Sequence, residues 1–193
     1  MPYLFGERIR LRAAEKDDIE LFLKWVNDPE VTEHLMLVYP MSQFEEELWY
    51  EGMVKHSPAE HVMVIDIRDE NKTGGYLSIG TCQFHNLDLR CRSAELGIMI
   101  GEKTHWNQGY GTETMRLLLN HGFESLNLHR IWLRVYDKNK RGIRAYEKAG
   151  FIYEGKFREA HYQHGQYYDV HLMSVLRNDW DEMNPGNINR EKG

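Results

Sequence analysis

The chain has 193 residues, of which 41% are hydrophobic and 28% are charged, and its formal net charge is −6. This size and composition suit one compact domain with a sizeable core, whereas the negative charge and the lack of a basic stripe argue against nucleic acid as a partner. The sequence has no run of 18 apolar residues and no signal-peptide pattern, so we expect a cytoplasmic protein without a membrane span.

Strand and helix patterns alternate through the first half of the chain. Polar and apolar residues alternate over residues 8–12, which predicts a half-buried edge strand, and a helical pattern over 16–26 ends before Asp28 and Pro29. A second helix is predicted over 42–55, with Ser42 as its N-cap. Glu45 completes a capping box there. Further strands are predicted at the end of this half, over 61–68, 76–85 and 92–100.

A pair of glycines, Gly109 and Gly111, lies between the strand pattern that ends near residue 100 and an amphipathic helical run. The pair therefore falls at a helix N-terminus, where free N–H groups and the helix dipole favour a pyrophosphate and glycine permits close approach. Taken alone, such a pair also makes ordinary tight turns. A dinucleotide-binding fold is not indicated, because no Gly-x-Gly-x-x-Gly follows the first strand.

The second half continues with a strand over 131–136 and a helix over 139–149. Asn139 is a candidate N-cap, and Gly150 is expected at the C′ position. Tyr146 lies on the helical stripe that also carries Asn139; taken alone, this spacing favours a core aromatic. The last two strands are predicted over 152–162 and 167–176. Residues 1–180 are then one domain, and 181–193 a loose polar tail.

Together these features resemble the Gcn5-related N-acetyltransferase (GNAT) superfamily. Its hallmarks are a strand, a Gln/Arg-x-x-Gly-x-Gly/Ala turn, a helix, a second strand, and then Asn-x-x-Ala-x-x-x-Tyr-x-x-x-Gly-Phe. Residues 139–151 match this last element, with Gly142 where alanine is frequent, and Trp106 replaces the usual Gln or Arg of the turn. Residues 25–31 and 154–167 look most like the branch of ribosomal-protein N-terminal and spermidine N-acetyltransferases.

The resemblance implies a mixed α/β (α+β) GNAT fold: a central twisted, mostly antiparallel sheet with a splayed cofactor-binding strand pair and helices on both faces. It also implies acetyl-CoA as cosubstrate, with the glycine turn on its pyrophosphate and strand backbone on its pantetheine arm. Tyr146 is implied as the proton donor to the leaving thiol. The implied cofactor-binding residues are Ile98, Met99, Ile100, Gln108, Gly109, Tyr110, Gly111, Thr112, Asn139 and Tyr146.

Glu95 is the candidate catalytic base. It is the one carboxylate inside an otherwise apolar strand, and it lies fourteen residues before Gly109, as does the glutamate base of histone-type members of the superfamily. The alternatives are a structural carboxylate paired with Arg or His in the core, and a water relay that takes the proton instead.

Acidic residues are concentrated at one end of the chain. Residues 1–60 carry a net charge of −7 and the remainder +1. Helices of this region wall the acceptor site in the family, so the acidic groups could attract a cationic amine. The alternative is that most are solvated helix faces. The tentative substrate-binding residues are Glu30, Glu33, Glu46 and Tyr162. Tyr162 fits an acceptor pocket, edge-strand packing or a homodimer seam equally well.

Metal ligation is not expected, because His161-x-x-His164 spans a predicted hairpin turn and lacks a third ligand. Cys82 and Cys91 are expected to be reduced thiols. The sequence thus predicts direct acetyl transfer to a polyamine such as spermidine or to a protein N-terminus. Amino sugars and aminoglycosides remain alternative acceptors. A non-catalytic acyl-CoA sensor is the alternative from another class, and the presence of Tyr146 and Glu95 favours an enzyme.

Overall fold

The computed structural model describes residues 3–35, 39–72 and 74–185, and these contain eight strands and six α-helices. The strands are β1 Tyr3–Phe5, β2 Ile9–Ala13, β3 Met63–Arg68, β4 Tyr76–Asp88, β5 Ser93–Ile100, β6 Arg130–Tyr136, β7 Ile152–Gln163 and β8 Gln166–Leu176. The helices are α1 Ile19–Val26, α2 Pro29–Thr32, α3 Gln43–Met53, α4 Tyr110–Asn120, α5 Lys140–Ala149 and α6 Arg177–Met183. No helix among the described residues is long and apolar enough to cross a membrane.

All eight strands belong to one mixed sheet in the order β1-β2-β3-β4-β5-β6-β8-β7. The pairing of β5 with β6 is parallel. The pairings of β1 with β2, β2 with β3, β3 with β4, β6 with β8 and β7 with β8 are antiparallel. A mostly antiparallel sheet with helices confirms the predicted fold class, and each predicted strand is present within a few residues of its predicted limits. The strand predicted as an edge strand, β2, instead pairs with β1 and with β3, so the edge prediction was wrong.

The chain divides into two compact units, which are described one at a time. The first comprises Met1–His85 and Gly97–Thr114. Its core is built on α1, where Phe22 and Trp25 stack with ring centroids 6.1 Å apart and pack with Val62 and Val64. Gly101 is required beside this core, because a Cβ there would lie 2.1 Å from the Trp25 indole. Burial of these large side chains anchors α1 in the unit.

A buried polar network also holds the first unit together. Asp66 of β3 is 1% exposed and accepts hydrogen bonds from Arg10 and Arg12 of β2 and from Ser78 of β4. Arg12 in addition forms a bidentate pair with Asp18, with both distances 2.7 Å. A buried carboxylate is tolerated only when it is paired in this way. The network therefore fixes three neighbouring strands and the turn that leads into α1.

The cap of α3 is as predicted. The Ser42 side chain accepts a hydrogen bond from the Glu45 N–H, and the Glu45 carboxylate accepts one from the Ser42 N–H at 2.8 Å. This reciprocal pair satisfies two backbone donors that a helix start leaves open.

The second unit comprises Asn86–Leu96 and Met115–Gly193. Ile131, Leu133 and Val135 of β6 are buried on one face of the strand, as period-two alternation requires. Asn139 caps α5 by accepting a hydrogen bond from the Gly142 N–H, and Gly150 ends the helix with φ of 109°. Both assignments confirm the sequence predictions for this helix.

The last helix extends into the segment that was predicted to be a tail. Helix α6 continues to Met183, because Trp180 is buried and stacks on Phe123 with ring centroids 5.7 Å apart. The polar composition of residues 181–183 had indicated a loose segment, but it reflects only the exposed side of this last helix. Residues 186–193 lie outside the described part of the chain.

Candidate active site

The predicted glycine turn is present at the start of α4. Gly109 has φ of 85°, a left-handed conformation that favours glycine, and its carbonyl accepts the first helical hydrogen bond, from the Glu113 N–H. The N–H groups of Tyr110 and Gly111 precede that bond in the first turn. A Cβ placed on Gly111 would meet no atom within 4 Å among the described residues, apart from its own helical turn. The turn therefore offers open space beside helix N-terminal donors, which suits an anionic group.

Arg8 contacts this turn, and the sequence analysis did not identify it as a site residue. Its Nε donates to Glu113 at 2.8 Å, its Nη1 donates to the Gln108 carbonyl at 2.9 Å, and its guanidinium lies 4.7 Å from the Tyr110 ring centroid. Its Nη2 would lie 3.2 Å from a Cβ on Gly109. A fixed cation thus stands at the turn although Trp106 occupies the position where the motif usually carries Gln or Arg. A separation of a hundred residues hides this neighbour from any local motif.

Trp106 itself supports the end of β5. Its indole Nε1 donates to the Ile100 carbonyl at 2.7 Å. The pairing of β5 with β6 runs from Ser93 to Glu95 and ends there, whereas β5 continues to Ile100. In the strand predicted to bind pantetheine, Ile98 and Met99 are half-buried and lie beyond the last β5 residue that pairs with β6. The Ile100 carbonyl already accepts a hydrogen bond from Trp106.

Helix α5 carries the predicted proton donor. Tyr146 is half-buried, packs its ring edge against Phe151 with centroids 6.1 Å apart, and has no hydroxyl hydrogen bond to the residues that the structure describes. Burial raises the pKa of Tyr146 to about 12, opposed by the nearby Arg141. The phenol therefore keeps its proton at neutral pH and can donate it. Asn139 uses its side-chain oxygen as the helix cap, which leaves its amide nitrogen for other contacts.

Glu95 is 7% exposed and is held by two neighbours. Arg134 of β6 donates from Nε to one carboxylate oxygen at 2.7 Å and from Nη2 to the other at 3.1 Å. The Asn86 amide donates to the second oxygen at 2.8 Å. This arrangement supports the structural alternative, a carboxylate paired with arginine, and the catalytic role of Glu95 stays a prediction. Arg134 belongs to no recognised sequence motif. It reaches Glu95 because of the register in which β5 pairs with β6.

The acidic residues of the first sixty have different surroundings. Glu30 and Asp28 both pair with Lys103, so Glu30 is a partner of a lysine within the chain. Glu46 is different, because it is 4% exposed and has no ion-pair or hydrogen-bond partner for its carboxylate among the described residues. Burial raises the pKa of Glu46.

Two further tentative substrate residues have less distinctive environments. Glu33 is half-buried and has a contact of its own within the chain. Tyr162 is 58% exposed on β7 and packs against Tyr167 with ring centroids 4.9 Å apart. His161 and His164 do not belong to any group of three or more His, Cys, Asp or Glu that could hold a metal ion within residues 3–35, 39–72 and 74–185.

A mixed sheet with one parallel pairing, followed by a helix that opens on a glycine turn, defines the acetyltransferase class that the sequence resembles. A family model described as acetyltransferase (GNAT) domain matches residues 8–152. The chain therefore belongs to the GNAT acetyltransferase family and is an acetyl-CoA-dependent N-acetyltransferase.

Named relatives agree with the predicted branch. A spermidine N(1)-acetyltransferase from Vibrio cholerae is 28% identical over 177 residues, which cover 91% of this chain and 96% of the relative. A ribosomal N-acetyltransferase-like protein from Bacillus subtilis is 32% identical over 102 residues, covering 53% of this chain and 55% of that protein.

A solved structure gives the same result for the fold. The crystal structure of a Vibrio cholerae spermidine N-acetyltransferase in complex with CoA and spermine superposes with a TM-score of 0.79 at 28% identity. The match covers 91% of this chain and 99% of that one.

We predict that Glu95→Gln separates the structural role of this residue from the catalytic one. The amide cannot form the charge-assisted pair with Arg134, so the free energy of unfolding should fall by about 1–3 kcal/mol. As a structural residue it should leave kcat within a few-fold. Glu154→Gln is the matched control, since Glu154 is also a strand carboxylate that pairs with an arginine, Arg130. Urea denaturation and steady-state kinetics measure both variants.

A loss of kcat on the order of 10²-fold or more in Glu95→Gln, with Glu154→Gln unaffected, would restore Glu95 as the base.

Proposed function

We propose that this protein transfers the acetyl group of acetyl-CoA to a primary amine that carries positive charge, either a polyamine such as spermidine or a protein N-terminus. The observation that carries the acceptor class is Glu46, a residue that is 4% exposed and whose carboxylate pairs with no other side chain among the described residues. A cationic ligand that paired with this carboxylate would stabilise its charged form. The similarity to spermidine N-acetyltransferases supports the same class.

The residues of the glycine turn fit acetyl-CoA. Open space at Gly111, the first-turn N–H groups of α4 and the fixed cation of Arg8 are together suited to phosphate groups. Backbone groups of Ile98 and Met99 would hold the pantetheine amides as an added strand does. Gln108, Tyr110 and Thr112 complete the turn in this proposal. When it binds, acetyl-CoA supplies the acetyl group as an activated thioester.

We predict that Gly111→Val weakens CoA binding at least tenfold while leaving the fold intact. The valine side chain would occupy the space that the proposal assigns to the phosphates, and no protein atom lies within 4 Å of its Cβ. Gly52→Val is the matched control, because Gly52 is also a helical glycine without neighbours at its Cβ. Calorimetric titration with CoA and thermal melts of both variants provide the measurement. Equal CoA affinity in wild type and Gly111→Val would remove the turn from the cofactor site.

Tyr146 is the proposed proton donor to the leaving thiol. A phenol with a pKa of about 12 is fully protonated at neutral pH, whereas a thiol normally titrates near ~8.5. Tyr146 can thus hydrogen-bond to the sulfur as negative charge develops there, and Asn139 would orient the cofactor arm beside it.

Direct attack by the amine is favoured over a covalent enzyme intermediate. Burial raises the pKa of Cys82, and a hydrogen bond with Asp88 raises that of Cys91. Both effects disfavour a thiolate nucleophile.

We predict that Tyr146→Phe lowers kcat on the order of 10²-fold with little change in CoA affinity, because the ring packing survives and only the proton donor is lost. Tyr153→Phe serves as the control, since Tyr153 is an exposed tyrosine of β7. Thiol release with saturating acetyl-CoA and amine gives kcat. A Tyr146→Phe enzyme with wild-type kcat would leave Tyr146 as a packing residue only.

The class of acceptor is tested with a panel of amines and with one substitution that removes a carboxylate charge. Wild-type enzyme should prefer amines with a second positive charge, and Glu46→Gln should lower kcat/KM for them about tenfold or more through KM. Glu47→Gln is the matched control, because Glu47 is the neighbouring, half-buried carboxylate and accepts a hydrogen bond from Gln43. The preference in wild type should decline with salt, since charges that contact solvent are screened beyond ~8 Å.

Two results would redirect the assignment. A best acceptor without a second charge, unaffected by Glu46→Gln, would favour an amino sugar or aminoglycoside. CoA binding without acetylation of any amine would favour the acyl-CoA sensor. Homodimerisation through the Tyr162 region stays a prediction.

A further inference from the structure

A half-buried histidine and a buried tyrosine of the second unit form a stacked pair that the motif-based assignment does not use. The imidazole of His161 on β7 stacks on the phenol ring of Tyr136, the last residue of β6, with ring centroids 3.8 Å apart and planes 12° apart. Tyr136 is 5% exposed. The Tyr136 hydroxyl and the His161 Nε2 are both buried and have no hydrogen-bond partner among the described residues. Buried polar atoms are nearly always paired, so this pair needs an explanation.

The chain is distorted at the place that positions His161. The pairing of β7 with β8 passes from Phe157 opposite Val170 to His161 opposite Tyr168, so three residues of β7 oppose one of β8. Glu159 within this bulge has φ of 49°, and its N–H donates to the Asp169 carboxylate at 2.9 Å. Bulges often re-aim a side chain near an active site, and a non-glycine residue with positive φ is costly unless it serves a purpose. Here the bulge sets the imidazole over Tyr136.

The pair lies at the start of the helix that carries the proposed proton donor. The Asn139 N–H donates to the Tyr136 carbonyl at 2.9 Å, and Asn139 caps α5, on which Tyr146 lies. Tyr136 also follows Arg134 by two residues, so both side chains are on the face of β6 that meets Glu95.

Other charged and titratable groups face the pair from each neighbouring element. Arg134 of β6 influences the Tyr136 phenol electrostatically. The ring of Tyr168 on β8 has its centroid 6.5 Å from that of His161. The ammonium of Lys138, in the turn after β6, lies 4.4 Å from the Tyr168 ring centroid and donates to Gln163.

The reaction requires a group that removes a proton from the amine. An aliphatic ammonium with a pKa near ~10 cannot attack until it loses a proton. Both oxygens of Glu95 are engaged by Arg134 and Asn86. His161 instead presents an unpaired ring nitrogen, and a neutral imidazole with its proton on Nδ1 accepts at Nε2.

We propose that His161 is the proton acceptor for the substrate ammonium, directly or through one water held by the Tyr136 hydroxyl. This inference rests on the proposed amine acetylation. His161 Nε2 takes one proton from the ammonium, and the nitrogen lone pair forms the C–N bond at the thioester carbonyl carbon. The C–S bond breaks with its electrons on sulfur, which takes the Tyr146 proton. The acetylated nitrogen then gives its second proton to the Tyr146 phenolate, and the His161 imidazolium releases its proton to solvent.

The test compares acceptors that do and do not need a base. His161→Gln should lower kcat/KM at neutral pH about 10²-fold or more for a strongly basic aliphatic amine from the panel. For an amine that electron-withdrawing substituents keep neutral at the assay pH, the loss should be much smaller. His164→Asn is the matched control, because His164 lies in the same hairpin with φ of 50°, a conformation that asparagine tolerates. It should behave as wild type with both amines.

Two more variants keep the proposal falsifiable if His161→Gln folds poorly. His161→Ala should regain activity toward the basic amine when imidazole is added, and Tyr136→Phe should show the same amine-dependent loss to a smaller extent. Equal losses for both amines, or no rescue by imidazole in a folded variant, would make His161 a packing residue and overturn the inference. Failure of the wild-type enzyme to acetylate any amine would instead overturn the proposed function.

Discussion

The ion pair of Glu95 with Arg134 lies where the parallel pairing of β5 and β6 ends. Ser93, Ala94 and Glu95 pair with β6, and the next paired positions are never formed although both strands continue. Because the parallel pairing stops at this point, the Glu95 carboxylate would be buried in a low-dielectric core without a partner unless a cation paired with it. Arg134, two residues beyond the last paired position of β6, meets that need. The ion pair of Glu95 with Arg134 therefore fixes the last paired position of the two strands, and β5 separates from β6 beyond it.

Because β5 stops pairing with β6 after Glu95, the backbone of its last residues can bind another group on that side. A strand that no longer pairs on one side has N–H and C=O groups that a ligand's amides can use. Trp106 binds the Ile100 carbonyl and ends that stretch, and the chain then turns through Gly109 into α4. Arg8 and Glu113 hold the turn in place through three hydrogen bonds from Arg8 and one from the neighbouring Ile9 N–H. The proposed site for an extended anionic cosubstrate thus depends on one interrupted strand pairing and one anchored turn.

Local sequence predicted the parts of this protein that depend on local rules. The Ser42 capping box, the Asn139 cap and the Gly150 terminus each follow from residues within one helical turn, and alternating patterns gave the strands. Long-range contacts could not be read from local sequence. Trp180 packs α6 in place within a polar segment, and Arg134 pairs with Glu95, whose catalytic role stays a prediction. Of the adjacent Glu45, Glu46 and Glu47, local sequence distinguished only Glu45, as the capping-box residue. The structure adds that Glu46 is largely buried and that Glu47 accepts a hydrogen bond from Gln43.

In the proposed function, the family motif serves the thioester and not the proton on the amine. The helix with Asn139 and Tyr146 would position groups that act on the thioester, which acetyl-CoA supplies whatever the acceptor. The proton on the amine belongs to the acceptor, and acceptors differ between members. A residue that serves the acceptor can therefore stand outside the shared motif, on a strand whose register is free to vary. The bulge at Glu159 has this effect on the register here, because a strand paired without extra residues would not bring His161 to the same position over Tyr136.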